Sequence, residues 1–374
     1  MLEEGPSLVS LEDKVRFLGS PAAYSGRADP AITVVLAVET HMSWVFLVGS
    51  EAYKLKKPAK TSFLDFSTPE ARRAHCLEEV RLNLRLAPDT YLGVTALTLK
   101  TGLAPASMPA STADLAPVET RMPLPATGLT LDGSGPVVDW LVRMRRLPEG
   151  RLMDRLIARG ELTAADVARL GGVLADFYSG LEPAGIAPEA YLERFRHQHS
   201  LNMAVLERSL PGSDQGLLRE VAAVVEAFLD SDAGLLRRRV LAGRVVEGHG
   251  DLRPEHVCLT WPPVVIDCLE FNRFLRLVDP FEELAFLSLE SARMGAAWVG
   301  EALAGSLAEA LHDRPDRRLT AFHTAFRALL RAQLIMGHLQ EPSPRTPELW
   351  PGLAREYLAL GLQEARSLAA RSAP

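Results

Sequence analysis

Between Val245 and Asn272 the chain reads VVEGHGDLRPEHVCLTWPPVVIDCLEFN, and no other stretch limits its possible folds so strongly. A His-Gly-Asp stands at the end of one strand-like run. A second aspartate, Asp267, closes the apolar run that follows Pro262-Pro263. A lone aspartate in either place would be read as a turn former or a strand-end cap. Two of them at this spacing, with His256 five residues after the first, call for a chemical reason.

Phosphoryl transfer supplies one. It needs a carboxylate to orient the attacking hydroxyl and accept its proton, and another to hold the Mg²⁺ that bridges the phosphates. Protein kinases place these groups in H-R-D-x-x-x-x-N and in a later D-F-G. Here HGDLRPEH provides His249 and Asp251, with His256 in the asparagine slot, and VVIDCLEF provides Asp267. Such chemistry also needs a lysine for the nucleotide phosphates and a helical glutamate to hold it. EAYKLKKP offers Lys54 and Lys56, which share a strand face because side chains alternate with period two. Lys54, flanked by Tyr53 and Leu55, is favoured. Lys56 and Lys57 read more easily as a solvated edge. In the helix that follows, Leu77, Val80 and Leu84 form one stripe, and Cys76, Glu79, Asn83 and Leu86 form the next. Glu79 can therefore face inward, with Glu78 further round.

At 374 residues, 47% hydrophobic and 24% charged, the chain has an ordinary globular composition with room for two lobes. A formal charge of −6 argues against nucleic-acid binding as its main business, despite the local cluster Lys54, Lys56, Lys57 and Lys60. Three cysteines without CxxC spacing fit a reducing, cytoplasmic setting. Cys258 and Cys268 could be drawn with His249 and His256 as a zinc site, but both lie in apolar runs and read better as small hydrophobes. Neither a signal peptide nor a membrane span is expected. Strand patterns and one prominent helix fill the first part. After Pro148 the pattern turns helical, with Thr163 as an N-cap. The expected class is α+β, with a β-rich N-lobe over 1–145 and a mainly helical C-lobe over 146–374.

Several blocks together resemble the aminoglycoside phosphotransferase-like kinases, in particular a bacterial branch often fused to a P-loop domain. They are ETHMSWVFLVGSEAYKLKKP, FLDFSTPEARRAHCLEEVRLNLRLAPDTYLGV, VDWLVRMRRLPE, HGDLRPEHVCL, IDCLEFNRFLRLVDPFEELAFL and FRALLRAQL. No G-x-x-x-x-G-K-[ST] occurs, so a stand-alone kinase-like unit is expected. The resemblance implies a two-lobed protein-kinase-like fold with ATP between the lobes. It implies Lys54 on the phosphates, Glu79 holding Lys54, Asp251 as catalytic base and Asp267 on Mg²⁺. It also implies a hinge around Arg143, Met144 and Arg145 that meets the adenine. The loop ETHMS would lie over the phosphates, using Thr40, His41 and Ser43 where protein kinases use glycines. Glu270 and Asp279 would brace the catalytic loop, Asp279 structurally.

This sequence departs from the family at His256, where asparagine is usual. Imidazole suits Mn²⁺ or softer metals better than Mg²⁺. Three readings stay open: a lost or changed metal, a histidine that orients Asp251, or a degraded site in a nucleotide-binding pseudokinase. Arg253 stands where the family commonly has histidine. It can offset charge on a transferred phosphoryl group, or pair with Glu255 or Glu270. The expected partners are a nucleotide and an unnamed small-molecule acceptor. Glu282, Glu283 and Glu290 either attract a cationic acceptor or form a solvated face.

Overall fold

The computed structural model describes residues 9–26, 33–61, 64–100, 128–340 and 346–370. They group into two units. One runs to Leu147 and includes Glu270–Asn272; the other comprises Pro148–Leu269 and everything from Arg273 onward.

In the first unit, helix α1 (Leu11–Leu18) starts at Ser10, whose hydroxyl accepts from the Asp13 amide and satisfies an otherwise unpaired donor. Three strands follow, β1 (Leu36–Glu39), β2 (Ser43–Val48) and β3 (Glu51–Lys56), then α2 (Pro69–Asn83), β4 (Tyr91–Leu99), β5 (Leu129–Leu131) and β6 (Val137–Arg145). Among the described residues they form one antiparallel sheet in the order β1-β2-β3-β6-β4-β5. Strand β3 is therefore interior, paired with β2 and β6 on its two sides. Its alternation decides what lies where: Tyr53 and Leu55 join the core with Phe46, Leu97 and Leu141, while Lys54 and Lys56 point to the other face.

Helix α2 begins at Thr68, whose hydroxyl accepts from the Ala71 amide, with Pro69 in the first turn. It buries Arg72, Cys76, Glu79, Leu82 and Asn83, with Leu86 buried just past its end, whereas Leu77 and Leu84 are exposed. Of the two stripes visible in the sequence, the polar one is buried. A second polar anchor explains how such a helix stays in place: buried Asp139 of β6 takes two hydrogen bonds from Arg72, at 2.7 and 2.9 Å, and one from Lys14 of α1 at 2.8 Å. The reach between Leu99 and β5 lies largely outside the described residues.

The second unit opens with α3 (Met153–Ala158), α4 (Ala164–Ser179), α5 (Pro188–Ser209), α6 (Gln215–Ser231) and α7 (Gly234–Leu241). Two-residue strands β7 (Val246–Glu247), β8 (Val257–Cys258), β9 (Val264–Val265) and β10 (Leu277–Val278) carry the opening stretch. Helices α8 (Pro280–Arg293), α9 (Trp298–Ala310), α10 (Arg317–Gly337) and α11 (Trp350–Ala370) complete it. Thr163 and Asp166 close α4 with a capping box. Phe195, Phe228, Phe322 and Phe326 centre the core, with Phe228 and Phe322 stacked at 4.2 Å. Such a pair adds about 0.5–1.5 kcal/mol beyond its buried area. Among the described residues no helix is long and apolar enough to cross a membrane.

Candidate active site

The first unit brings the expected lysine and glutamate together, with one addition. Glu79 is fully buried, and its carboxylate takes Lys54 Nζ at 3.0 Å and Lys56 Nζ at 2.5 Å. Lys56 also reaches Glu270 at 2.5 Å. The reading of Lys56 as a solvated edge is overturned, because β3 is an interior strand and the Lys56 side chain is 1% exposed. Burial opposes its charge, but Glu79 and Glu270 outweigh burial and raise its pKa above the ordinary lysine value. Lys54 keeps 14% exposure and is the more accessible ammonium. Lys57 turns instead to Glu39 at 2.7 Å. Burial pushes the neighbouring Cys76 thiol up to about 12, so it stays protonated.

The loop between β1 and β2 is closed upon itself. The Thr40 hydroxyl accepts from the Ser43 amide and donates to the Ser43 carbonyl, both at 3.0 Å, and Ser43 is buried. Thr40 is thus already committed to the turn. Met144 and Arg145 lie inside the β6 ladder, opposite Ala52 and Glu51. The Arg145 amide donates to Thr90 and the Arg146 amide to Ser50. A hinge drawn at Met144 and Arg145 therefore falls on backbone that the sheet occupies.

In the second unit the geometry follows from backbone pairing. Strands β8 and β9 match Val257 with Val265. The pairing continues as the Ile266 amide donates to His256 and the Leu269 amide to His249. Asp267 is thereby laid beside His256, with a left-handed φ of 63° that only a few non-glycine residues adopt. His256 stands between the two aspartates. Its Nδ1 donates to the Asp251 carbonyl at 2.8 Å and lies 3.6 Å from that carboxylate, while Nε2 is 3.7 Å from Asp267 Oδ2. With Nδ1 donating to that carbonyl, Nε2 is the ring nitrogen on the Asp267 side. Arg253 makes an ion contact with Asp251 at 3.1 Å and with Glu255 at 2.8 Å, and its Nη2 approaches His256 Nε2 at 3.4 Å.

His249 is buried with both ring nitrogens engaged: Nδ1 accepts from the Asp251 amide and Nε2 donates to the Ile266 carbonyl. That leaves it no lone pair for a metal, and the zinc drawing loses a ligand. Cys258 and Cys268 are buried.

The sequence reading missed the group that shapes this loop. Buried Glu283 of α8 accepts from the amides of His249 and Gly250, and its third partner is the Tyr178 hydroxyl at 2.7 Å. Arg276, 1% exposed, braces the other side through Glu247 at 2.7 Å and the Leu269 carbonyl at 2.8 Å. Asp279 is structural, capping α8 and gripped by Arg239. Gly250 has φ +89°, and a Cβ there would meet Leu269 Cβ at 3.0 Å and Arg276 Cγ at 3.1 Å. Gly250→Ala should therefore cost about 1–3 kcal/mol, read as a lower urea midpoint. An unchanged midpoint would show that the loop is not held this tightly.

Among the described residues no three His, Cys, Asp or Glu side chains cluster closely enough to hold a metal by themselves. Mg²⁺ does not demand that, since it commonly takes one or two carboxylates together with phosphate oxygens and water. Asp267 fits such an ion, and His256 Nε2 fits a softer one.

This antiparallel sheet followed by a mainly helical unit is the protein-kinase-like fold that aminoglycoside phosphotransferases share. The crystal structure of a thermostable mutant of aminoglycoside phosphotransferase APH(4)-Ia, apo form, superposes with a TM-score of 0.51 at 9% identity, over 95% of this chain and 98% of that one. A choline/ethanolamine kinase family protein from Mesorhizobium loti gives 0.46 at 15% identity, over 95% and 98%. By sequence, the chain is 27% identical over 299 residues to uncharacterized proteins of Mycobacterium tuberculosis and Mycobacterium bovis. That match takes in 79% of this chain but 53% of theirs, so the chain spans about half the length of the curated relatives it matches. No protein-family model matches it.

Proposed function

We propose that the chain is an ATP-dependent phosphotransferase acting on a hydroxyl of a small molecule. The observation that carries this reading is the convergence of Asp251 and Asp267 on one imidazole, at 3.6 and 3.7 Å, on a loop held rigidly from behind. Asp251 orients the acceptor hydroxyl and takes its proton as the new oxygen–phosphorus bond forms and the bond to the leaving ADP oxygen breaks. Lys54, positioned by Glu79, contacts the nucleotide phosphates, and Arg253 offsets charge on the group in transit. A divalent ion held by Asp267 would neutralise charge between the β- and γ-phosphate oxygens. Lys56 ties Glu79 to Glu270, three residues past Asp267 in sequence.

The test is ADP formation from ATP by the purified protein, with Mg²⁺ and then Mn²⁺, across a panel of hydroxyl acceptors. A second reading, a nucleotide-binding regulatory module, is favoured by Arg253 Nη2 standing 3.4 Å from His256 Nε2, a cation beside the nitrogen a metal would use. ATP binding without ADP formation in either metal would select it. The histidine itself makes a further prediction. ATP should bind more tightly with Mn²⁺ than with Mg²⁺, and His256→Asn should shift that preference toward Mg²⁺, because the amide oxygen is the harder donor. Calorimetric titration in each metal checks this, and an unmoved ratio would take His256 off the ion.

A further inference from the structure

The three glutamates of α8 are not a solvated acidic face. Glu282, Glu283 and Glu290 are each no more than 2% exposed. Glu283 holds the loop amides. Glu282 is held by Arg194 at 2.7 Å, Arg327 at 2.9 Å and the Tyr191 hydroxyl at 2.9 Å. Its carboxyl is brought down to about 2: burial works in the other direction and is outweighed by the two arginines. None of the three has negative charge to offer a cationic acceptor.

Glu290 also faces two arginines and a tyrosine, but its arginines meet it differently. One oxygen already accepts from the Tyr357 hydroxyl at 2.6 Å. Arg331 Nε lies 2.7 Å from the other oxygen and Arg293 Nε lies 3.5 Å from the first, yet neither contact has hydrogen-bond geometry. Elsewhere in this chain guanidinium groups grip carboxylates with two parallel bonds, as Arg72 does with Asp139 and Arg239 with Asp279. Arg331 and Arg293 do not, and their side chains stay 19% and 28% exposed. The other carboxylate acting on Arg293 is exposed Glu356, whose influence water screens.

Their position matters. Glu290 follows Glu283 by two turns on the same face of α8, a distance of about 10 Å. Glu283 holds the amide of Gly250, the residue before Asp251. Arg331 also registers that aspartate: burial works against its charge and is outweighed by Glu290, then Tyr357, with Asp251 a further contributor.

We propose that Arg331 and Arg293 form a subsite for an anionic group, a carboxylate or phosphate, on the acceptor, so that the substrate is a small hydroxylated anion. The role as acceptor subsite rests on the phosphotransferase reading; anion binding by itself does not.

The test compares D-gluconate, D-glucose and D-glucosamine, matched in size and differing in charge, by calorimetry with ADP present and by ADP formation from ATP. The variant is Arg331→Met with Glu290→Gln, which removes the guanidinium without leaving a buried charge unopposed. Gluconate should bind at least about tenfold more tightly than glucose, and the double variant should lose about 10- to 100-fold of that affinity. Glucose or glucosamine binding as well as gluconate would overturn the subsite, and so would a double variant that keeps its affinity. Gluconate bound through Arg331 but never phosphorylated would leave anion binding standing and overturn its role as acceptor subsite, while no ADP formation with any acceptor of the wider panel would sink the phosphotransferase reading. Phosphorylation of glucosamine in preference to gluconate would do the reverse.

Discussion

Asp251→Asn is expected to lower kcat for ADP formation by about 10²–10⁴-fold, the usual contribution of a positioned general base. The protein should remain folded. Asp251 is held through its backbone, by its amide to His249 and its carbonyl to His256, and asparagine keeps both bonds. Its side chain is 30% exposed and meets Arg253 and His256 only in ion contacts. Thermal unfolding alongside the rate measurement separates the two effects. A rate close to that of the parent would remove Asp251 from the chemistry, and a collapsed melting curve would show that it serves the structure instead.

The largest effect on stability is expected at Lys56. Lys56→Met removes the buried ammonium shared by Glu79 and Glu270, and breaking one side of a buried ion pair typically costs about 3–5 kcal/mol. In a chain of this size that lowers the melting midpoint by about 4–6 °C. Lys54→Met leaves Glu79 with Lys56, so its melting curve should move far less while its affinity for ATP falls. The two variants measured side by side decide which lysine meets the phosphates. If Lys56→Met melts normally and loses ATP, the assignment is reversed.

Why the sequence read Lys56 as a solvated edge is a matter of sheet order. Lys54 and Lys56 share a face by alternation, which is legible. That β3 is flanked by β2 and β6 depends on a pairing about ninety residues distant in sequence, which no local pattern encodes. The cap at Thr163 was readable because it depends on its own turn of helix. The buried stripe of α2 was not. Leu77 and Leu84 outrank Glu79 and Asn83 on any hydrophobic scale, and only the two lysines opposite make a glutamate the better inward residue. Glu283 was hidden for the same reason. Its partners are backbone amides and a tyrosine from α4, and backbone amides leave no trace in residue identity. Asp251, His256 and Asp267 could be read together because a short antiparallel pairing joins them within one stretch.

The left-handed backbone at Asp267 limits which residues the position takes without strain. Glycine would sit there without strain, and asparagine almost as easily, so selection for folding alone has no reason to retain a carboxylate. If Asp267 holds the ion as proposed, relatives without phosphoryl transfer should carry glycine or asparagine here while the surrounding apolar strand persists. The residue found at this one site would then serve as a fossil record, separating descendants that still work from those that have kept only the architecture.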